Sequence, residues 1–168
     1  MEKKEMVTRT LEGFIRKLDS DGHSKYASEL KTILAMSRRR REATAALSSM
    51  ASSLLTHIIK YVGMPQSRAR DKWRREIKTR LYEFNIHNVS FQGKPWLSIN
   101  YIEKELNEFL VNPRFLKYLT IQLEEYSNKD KKSVMNLINS KKTLKALNVS
   151  LSFDVEGNLN MNIENQPL

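Results

Sequence analysis

The chain has 168 residues, of which 40% are hydrophobic and 29% charged, with only 5 glycines and 4 prolines. Length and composition fit one globular domain and exclude disordered, collagen-like and low-complexity classes. The absence of cysteine excludes disulfide frameworks and cysteine-based metal sites, and 29 Lys and Arg against 19 Asp and Glu give a net charge of +10. We expect a cytoplasmic protein without a membrane span, because no signal-peptide pattern is present and no apolar run approaches the roughly 18 residues a span needs.

Apolar side chains recur at helical spacing through the first third of the chain. Residues 5–18 predict a short amphipathic helix with Val7 and Phe14 in its apolar stripe, followed by a turn. A second stripe over residues 23–36 is interrupted by a serine and four arginines. The interruption is either a loop or an exposed turn of a continuous helix.

The next two predicted helices form a pair. The stripe from Thr44 to Val62 is regular, and Gly63 and Pro65 end it because proline does not continue a helix. A further helix is predicted over residues 67–84. A short connection makes neighbouring helices antiparallel. We expect their seam to be one buried cluster of Leu54, Leu55, Ile58, Ile59, Trp73, Ile77 and Leu81.

Helical spacing is lost after residue 84 and returns before residue 100. Val89 and Phe91 alternate with polar residues and predict at most a short strand. Residues 99–110 predict a helix. Asn112 followed by Pro113 is a signal for the start of the next helix, and a weaker one begins near residue 128.

The period changes to two near the C-terminal end. Val149, Leu151, Phe153 and Val155 alternate with polar residues, and after a turn at 156–158 the alternation resumes. This pattern predicts a β-hairpin with those four side chains on one buried face. The fold class is therefore mainly α, a helical bundle with a C-terminal β-hairpin. Residues 1–147 form the helical part and residues 148–168 the hairpin packed on it, within a single domain.

Positive charge is concentrated in the middle of the chain. Residues 38–80 contain twelve bases and three acids, which accounts for nine of the ten net positive charges. A charged helical face is ordinarily a solvated surface, but acids are too scarce here to neutralise this one, so we expect polyanion binding. The candidate nucleic-acid contacts are Arg38, Arg39, Arg40, Arg41, Arg68, Arg70, Lys72, Arg74, Arg75, Lys78 and Arg80. Steps of four place Arg70, Arg74 and Lys78 in one row along an edge of the helix, away from the seam of Trp73, Ile77 and Leu81.

Catalytic and metal-binding patterns are lacking in the sequence. His57 has no carboxylate one turn away on its helix, so a packed, hydrogen-bonded histidine is favoured over a catalytic one. Trp73 belongs to the core seam rather than to a base-stacking surface. Three scattered histidines have no metal-ligand spacing, and neither a glycine-rich phosphate loop nor a nucleophile elbow occurs. We therefore expect no enzyme, no catalytic residue, no metal and no cofactor.

One stretch of the chain has a pattern of its own. A paired-leucine helix carries a histidine, two apolar residues, a lysine and an aromatic residue, and a proline and a tryptophan follow. The matching residues are Leu54, Leu55, His57, Ile58, Ile59, Lys60, Tyr61, Pro65, Arg68, Trp73 and Ile77. The stretch from Leu47 to Ile77 thereby resembles the bacterial family of unknown function that is number twenty-nine in the DUF series. The resemblance implies a small helical fold and no particular activity.

Two functions from different classes fit these observations. The first is a non-enzymatic protein that binds nucleic acid, DNA or RNA, through its basic surface at 38–80. The alternative is an interaction module that binds an acidic protein, with the hairpin adding to a partner's sheet or to a second copy of the chain. Salt dependence separates them, since phosphate neutralisation gives a steep log-log slope of about 0.9 per duplex contact.

Overall fold

The computed structural model describes residues 2–90, 92–164 and 166–167, with side chains described from residue 10 to 90 and from 92 to 164. Over these residues the chain forms six α-helices and a three-stranded sheet, which confirms the mainly α fold with a C-terminal hairpin. The helices are α1 (Glu2–Ser20), α2 (Ser24–Gly63), α3 (Arg70–Asn88), α4 (Ile99–Leu110), α5 (Pro113–Gln122) and α6 (Asn128–Ser140). The strands are β1 (Val149–Phe153), β2 (Leu159–Ile163) and β3 (Gln166–Pro167). The predicted strand residue Phe91 and the side chain of Val7 lie outside the described residues.

The chain divides into two compact units, 1–41 and 42–168. The boundary falls within α2, which continues through Ser37 and the four arginines, so the open question about this segment is settled in favour of a continuous helix. The hairpin belongs to the same unit as α3 to α6. The organisation into a helical part at 1–147 and a hairpin at 148–168 within a single domain stays a prediction.

The first unit has a small apolar interior. Among its described residues the buried hydrophobic side chains are Ile15 and Ala27, whereas Phe14, Tyr26 and Ile33 are each more than half exposed. Helical spacing therefore identified the helices correctly but overestimated how many apolar residues are buried. Ion pairs join α1 to α2, since Lys31 Nζ lies 3.1 Å from Asp19 and Arg38 pairs with Glu12.

The second unit contains the core of the protein. All seven side chains predicted to form the seam between α2 and α3 are buried in one cluster, which confirms that prediction. Two contacts show that the helices are antiparallel. Arg80 Nε donates to Ser53 Oγ at 3.2 Å, and the Arg70 guanidinium lies 4.1 Å from the ring centre of Tyr61.

Local hydrogen bonds determine where the shorter helices begin. The Asn112 carboxamide accepts from the backbone N–H of Arg114 at 2.9 Å, and Pro113 follows it, as predicted. The start of α3 is three residues later than predicted. Ser67 instead forms a turn in which its hydroxyl accepts from the backbone N–H of Ala69 at 3.2 Å.

The connection between α3 and α4 is anchored by a buried polar side chain. Asn88 is 0% exposed, and its carboxamide oxygen accepts from the backbone N–H of Leu97 at 2.8 Å. Its carbonyl accepts from Trp96 at 2.7 Å. The predicted strand is here reduced to one isolated bridge between Val89 and Pro95.

The hairpin has the predicted antiparallel pairing, with Val149 opposite Ile163 and Phe153 opposite Leu159. The prediction that Val155 is buried is wrong, because this residue is fully exposed. The strand ends at Phe153, and the Asp154 carboxylate accepts backbone N–H bonds from the turn residues 156 and 158 at 2.9 and 2.8 Å. β3 extends the sheet by pairing with β2.

Three contacts attach the hairpin to the helices and their loop. The Asn85 carboxamide of α3 exchanges two hydrogen bonds with the backbone of Leu159, at 2.8 and 3.2 Å. Arg70 Nη2 lies 2.5 Å from Glu164. The hairpin turn at Gly157 approaches Gly93 so closely that a Cβ at residue 157 would lie 2.1 Å from the Gly93 carbonyl oxygen.

Candidate nucleic-acid interface

The candidate basic residues lie in both units. Arg38, Arg39, Arg40 and Arg41 occupy consecutive positions of α2 in the first unit, and all four are exposed. Consecutive positions on a helix point around more than half of its circumference, so these four guanidinium groups do not share one face. The other seven candidates belong to the second unit, in α3 or directly before it.

Burial separates the bases of α3 into two groups. Arg70, Arg74 and Arg80 are half-buried, whereas Lys72, Arg75 and Lys78 are exposed. Arg68, in the turn before the helix, is also exposed. The second group is the better placed for contacts with a large anionic ligand, because its charges already face solvent.

Two of the half-buried arginines hold the fold together. Arg70 lies over the ring of Tyr61 and pairs with Glu164, so it links three segments of the unit. Arg80 donates to Ser53 on α2 and pairs with Glu83 at 2.8 Å. The row of Arg70, Arg74 and Lys78 favoured by the sequence is therefore not uniformly exposed. The reason is that Arg70 lies seven residues before Ile77, on the buried side of the helix.

The exposed cations lie on the side of α3 opposite its core seam. We call this surface the outer face and define it as Lys72, Arg75, Lys78 and Tyr82. Steps of three and four residues place these side chains on adjacent turns. Tyr82 is 69% exposed, and Ile86, one turn further along, is 62% exposed.

Tyr82 is the residue that sequence reasoning missed. Trp73 is the aromatic residue nearest the bases in the sequence, and the structure confirms the prediction that it is a core residue, with 2% exposure. A signal for Tyr82 was present, because it lies one residue after the seam position Leu81 and four residues after Lys78. That spacing places the ring among the bases and away from the core.

A buried lysine near the end of α2 contacts an aromatic ring in the connection between α5 and α6. Lys60 is only 6% exposed, and its ammonium lies 4.9 Å from the ring centre of Tyr126. Burial lowers the pKa of Lys60; the charge of Glu125 opposes this effect, and the charge of Lys72 adds to it. Burial also raises the pKa of Tyr126, since each group is penalised in its charged form.

His57 lies one turn before Lys60 and is half-buried. Its pKa is lowered chiefly by burial, with Glu76 opposing and Lys60, Arg80 and Lys72 reinforcing the shift. The sequence predicted a packed, hydrogen-bonded histidine, but the Nδ1 of His57 finds no hydrogen-bond partner among the described residues. The lowered pKa favours the neutral form of the ring.

A groove of about 420 Å³ lies between α2 and α3. It is at the end of this helix pair that is remote from Lys60. Its polar lining includes Ser53, Arg80, Glu83 and His87. Because Arg80 pairs with Glu83, the charges in the groove neutralise one another. The groove therefore does not extend the cationic outer face.

Comparison with known proteins gives no match: no protein-family pattern, curated protein or solved structure corresponds to the chain. Among the described residues, no group of three or more histidine, aspartate or glutamate side chains is arranged to hold a metal ion. None of the described helices has the length and apolar character required to cross a membrane.

Proposed function

We propose that the protein binds nucleic acid through the outer face of α3, as a non-enzymatic binding protein. The observation that carries the proposal is the set of three exposed cations Lys72, Arg75 and Lys78 on one side of one helix. None of the three forms an ion pair with a described carboxylate. Their charges are available to phosphates. In nucleic-acid complexes, contacts between cationic side chains and phosphates position the strand and release condensed counterions.

The charge distribution of the chain supports the same proposal. Residues 38–80 hold nine of the ten net positive charges, so the helix with the outer face lies in the most basic part of the sequence. Such a field raises the association rate with polyanions. Arg68, exposed in the turn before α3 and in the same unit, adds to it. Arg70 and Arg80 serve the fold instead, through their pairs with Glu164 and Glu83.

A charge-neutralising variant tests the proposal. We expect Lys72→Gln, Arg75→Gln and Lys78→Gln together to weaken binding of a fluorescein-labelled DNA duplex, measured by fluorescence anisotropy over a series of salt concentrations. Each lost phosphate contact lowers the log-log salt slope by about 0.9, so the slope should fall by up to about 2.7. The fold should persist, because exposed substitutions change stability by less than about 0.5 kcal/mol each.

A matched control removes the same charge elsewhere in the same unit. Lys117, Lys132 and Lys142 are exposed and lie on α5, on α6 and after α6. Their combined change to glutamine should leave most of the salt slope intact. Equal losses in the two triple variants would mean that net charge, and not the outer face, governs binding.

The alternative function is binding of an acidic protein. Among the described residues β1 pairs only with β2, so its other side is an edge of the sheet to which a partner strand or a second copy of the chain could add. A shallow salt slope, with binding lost on changes in β1, favours this alternative.

We also propose a cytoplasmic location, supported by the absence of cysteine. The resemblance to the DUF-series family remains a prediction.

A further inference from the structure

We infer that the outer face takes a single strand of nucleic acid, with a base stacked on the ring of Tyr82. This inference rests on the proposed function and specifies the form of its ligand. A double helix presents its phosphates outward and keeps its bases stacked on one another. A single strand also offers unstacked bases, which require an accessible aromatic face close to the cations.

The structure shows such a ring. Tyr82 is 69% exposed. Its hydroxyl makes no hydrogen bond to a described residue, and its ring makes no contact with another described ring. The ring therefore has neither a polar nor an aromatic partner among the described residues.

The spacing along α3 fits a strand that crosses from cations to an aromatic ring. A helix rises about 1.5 Å per residue, so Tyr82 lies about 6 Å beyond Lys78 and about 10 Å beyond Arg75 along the axis. These separations allow phosphates to contact the two cations while a neighbouring base reaches the ring. Ile86, 62% exposed on the next turn, extends the apolar surface beyond Tyr82.

The outer face shows no feature that reads base sequence. Its groups are two ammonium ions, one guanidinium and a phenol ring, and stacking on an aromatic face tolerates every base. We therefore expect similar affinities for single strands of different sequence. The difference should lie between single-stranded and duplex ligands.

The test compares one strand in three forms: a labelled oligothymidylate, its duplex with oligoadenylate, and the same strand with abasic sites. Loss of a stacked base costs about 1 to 3 kcal/mol, so Tyr82→Ala should weaken binding of the intact single strand by about 5-fold to 150-fold. Duplex binding should be unchanged. Tyr82→Phe should bind the single strand as the parent does, because the ring remains. The abasic strand should bind the parent about as weakly as the intact strand binds Tyr82→Ala.

Tyr118→Ala is the matched control, since Tyr118 is 41% exposed and lies on a different helix, α5. It should leave both affinities unchanged, and equal melting temperatures should show that all variants are folded. Equal effects of Tyr82→Ala on single-stranded and duplex ligands, or no effect on either, would overturn the inference. If the triple glutamine variant still lowers affinity in that case, the proposed function stands and only the stacking role of Tyr82 fails. If the parent binds none of these three ligands and no single-stranded or duplex RNA either, both proposals are overturned and an acidic protein partner is favoured.

Discussion

His57 is a titratable side chain held in a setting that disfavours its charged form. The ring is half-buried between α2 and α3, its Nδ1 finds no hydrogen-bond partner among the described residues, and Lys60, Arg80 and Lys72 repel a proton. Only Glu76 among the charges that affect it favours protonation. The burial of this ring therefore makes folding sensitive to pH.

The direction of that sensitivity follows from linkage. The folded-state pKa of His57 lies below its ordinary value of 6.5, so the unfolded chain binds more protons between the two values. Stability contributed by the neutral ring is then lost as the pH falls below 6.5, and the loss levels off below the folded-state pKa.

We expect His57→Gln to reduce the loss of unfolding free energy between about pH 7.5 and about pH 5, measured by urea denaturation. Other groups, the carboxylates among them, contribute to acid destabilisation in both proteins, so the difference between the two curves is the informative quantity. His23→Gln provides the control because His23 is exposed in the turn between α1 and α2. Parallel curves for His57→Gln and the parent would show that His57 is charged to the same extent in the folded and unfolded states.

At the scale of elements, the hairpin depends on a close approach between two turns. Gly157 has φ +84°, a left-handed backbone conformation, and it lies against the carbonyl of Gly93. Any side chain at residue 157 would meet both a conformational penalty and backbone atoms that have little freedom to move. A single substitution at residue 157 should therefore weaken the packing of the hairpin turn against the loop between α3 and α4.

We expect Gly157→Ala to destabilise the protein by more than the about 1 to 2 kcal/mol that left-handed backbone costs a residue with a Cβ, because the steric clash adds to it. Thermal denaturation measures the effect. Gly13→Ala is a control of opposite sign, since nothing described lies within 4 Å of a Cβ at Gly13. Alanine within α1 should stabilise that helix by about 0.8 to 1 kcal/mol. A melting temperature unchanged by Gly157→Ala would mean that the turn moves away at no cost.

The elements themselves were accessible from the sequence because their signals are local. The helical spacing of Leu54, Ile58 and Ile77 and the Asn112–Pro113 start signal depend on a few neighbouring residues, and each agrees with the structure. Burial of a particular side chain depends on which segment packs opposite. The pattern therefore misplaced Phe14 and Val155, which have the right period but no covering element among the described residues.

The candidate site was also predictable only in part. Its location on α3 followed from the density of charge, but the choice among its bases required tertiary structure. Arg70 and Lys78 have the same charge and lie on the same helix. Only the contacts of Arg70 with Glu164 and Tyr61 show that it serves the fold.

At the scale of the whole molecule, the two units differ in how much apolar surface they bury. The first unit buries Ile15 and Ala27 among its described hydrophobic residues, whereas the core cluster draws on the second half of α2 and on α3 to α6. Helical stability in proteins comes mainly from such packing. The two halves of α2 should therefore differ in local stability although one helix contains both.

Hydrogen exchange followed by mass spectrometry measures this difference. We expect backbone amides of residues 28–40 to exchange faster than those of residues 47–60, because opening the first stretch exposes little apolar surface. The comparison within a single helix controls for secondary structure and for solvent conditions. Uniform protection along α2 would contradict the division into two units with unequal cores.

The fully exposed Val155 at the tip of the hairpin provides a position for a spectroscopic probe. Because the chain contains no cysteine, Val155→Cys would supply its single thiol, and a dye attached there would label one known site. If a strand lies along α3 as we propose, energy transfer from that dye to an acceptor at either end of the oligonucleotide would report the direction in which the strand runs. The exposure of Val155, which contradicts the prediction from alternation, thus makes this residue a suitable reference point for measuring the orientation of a ligand.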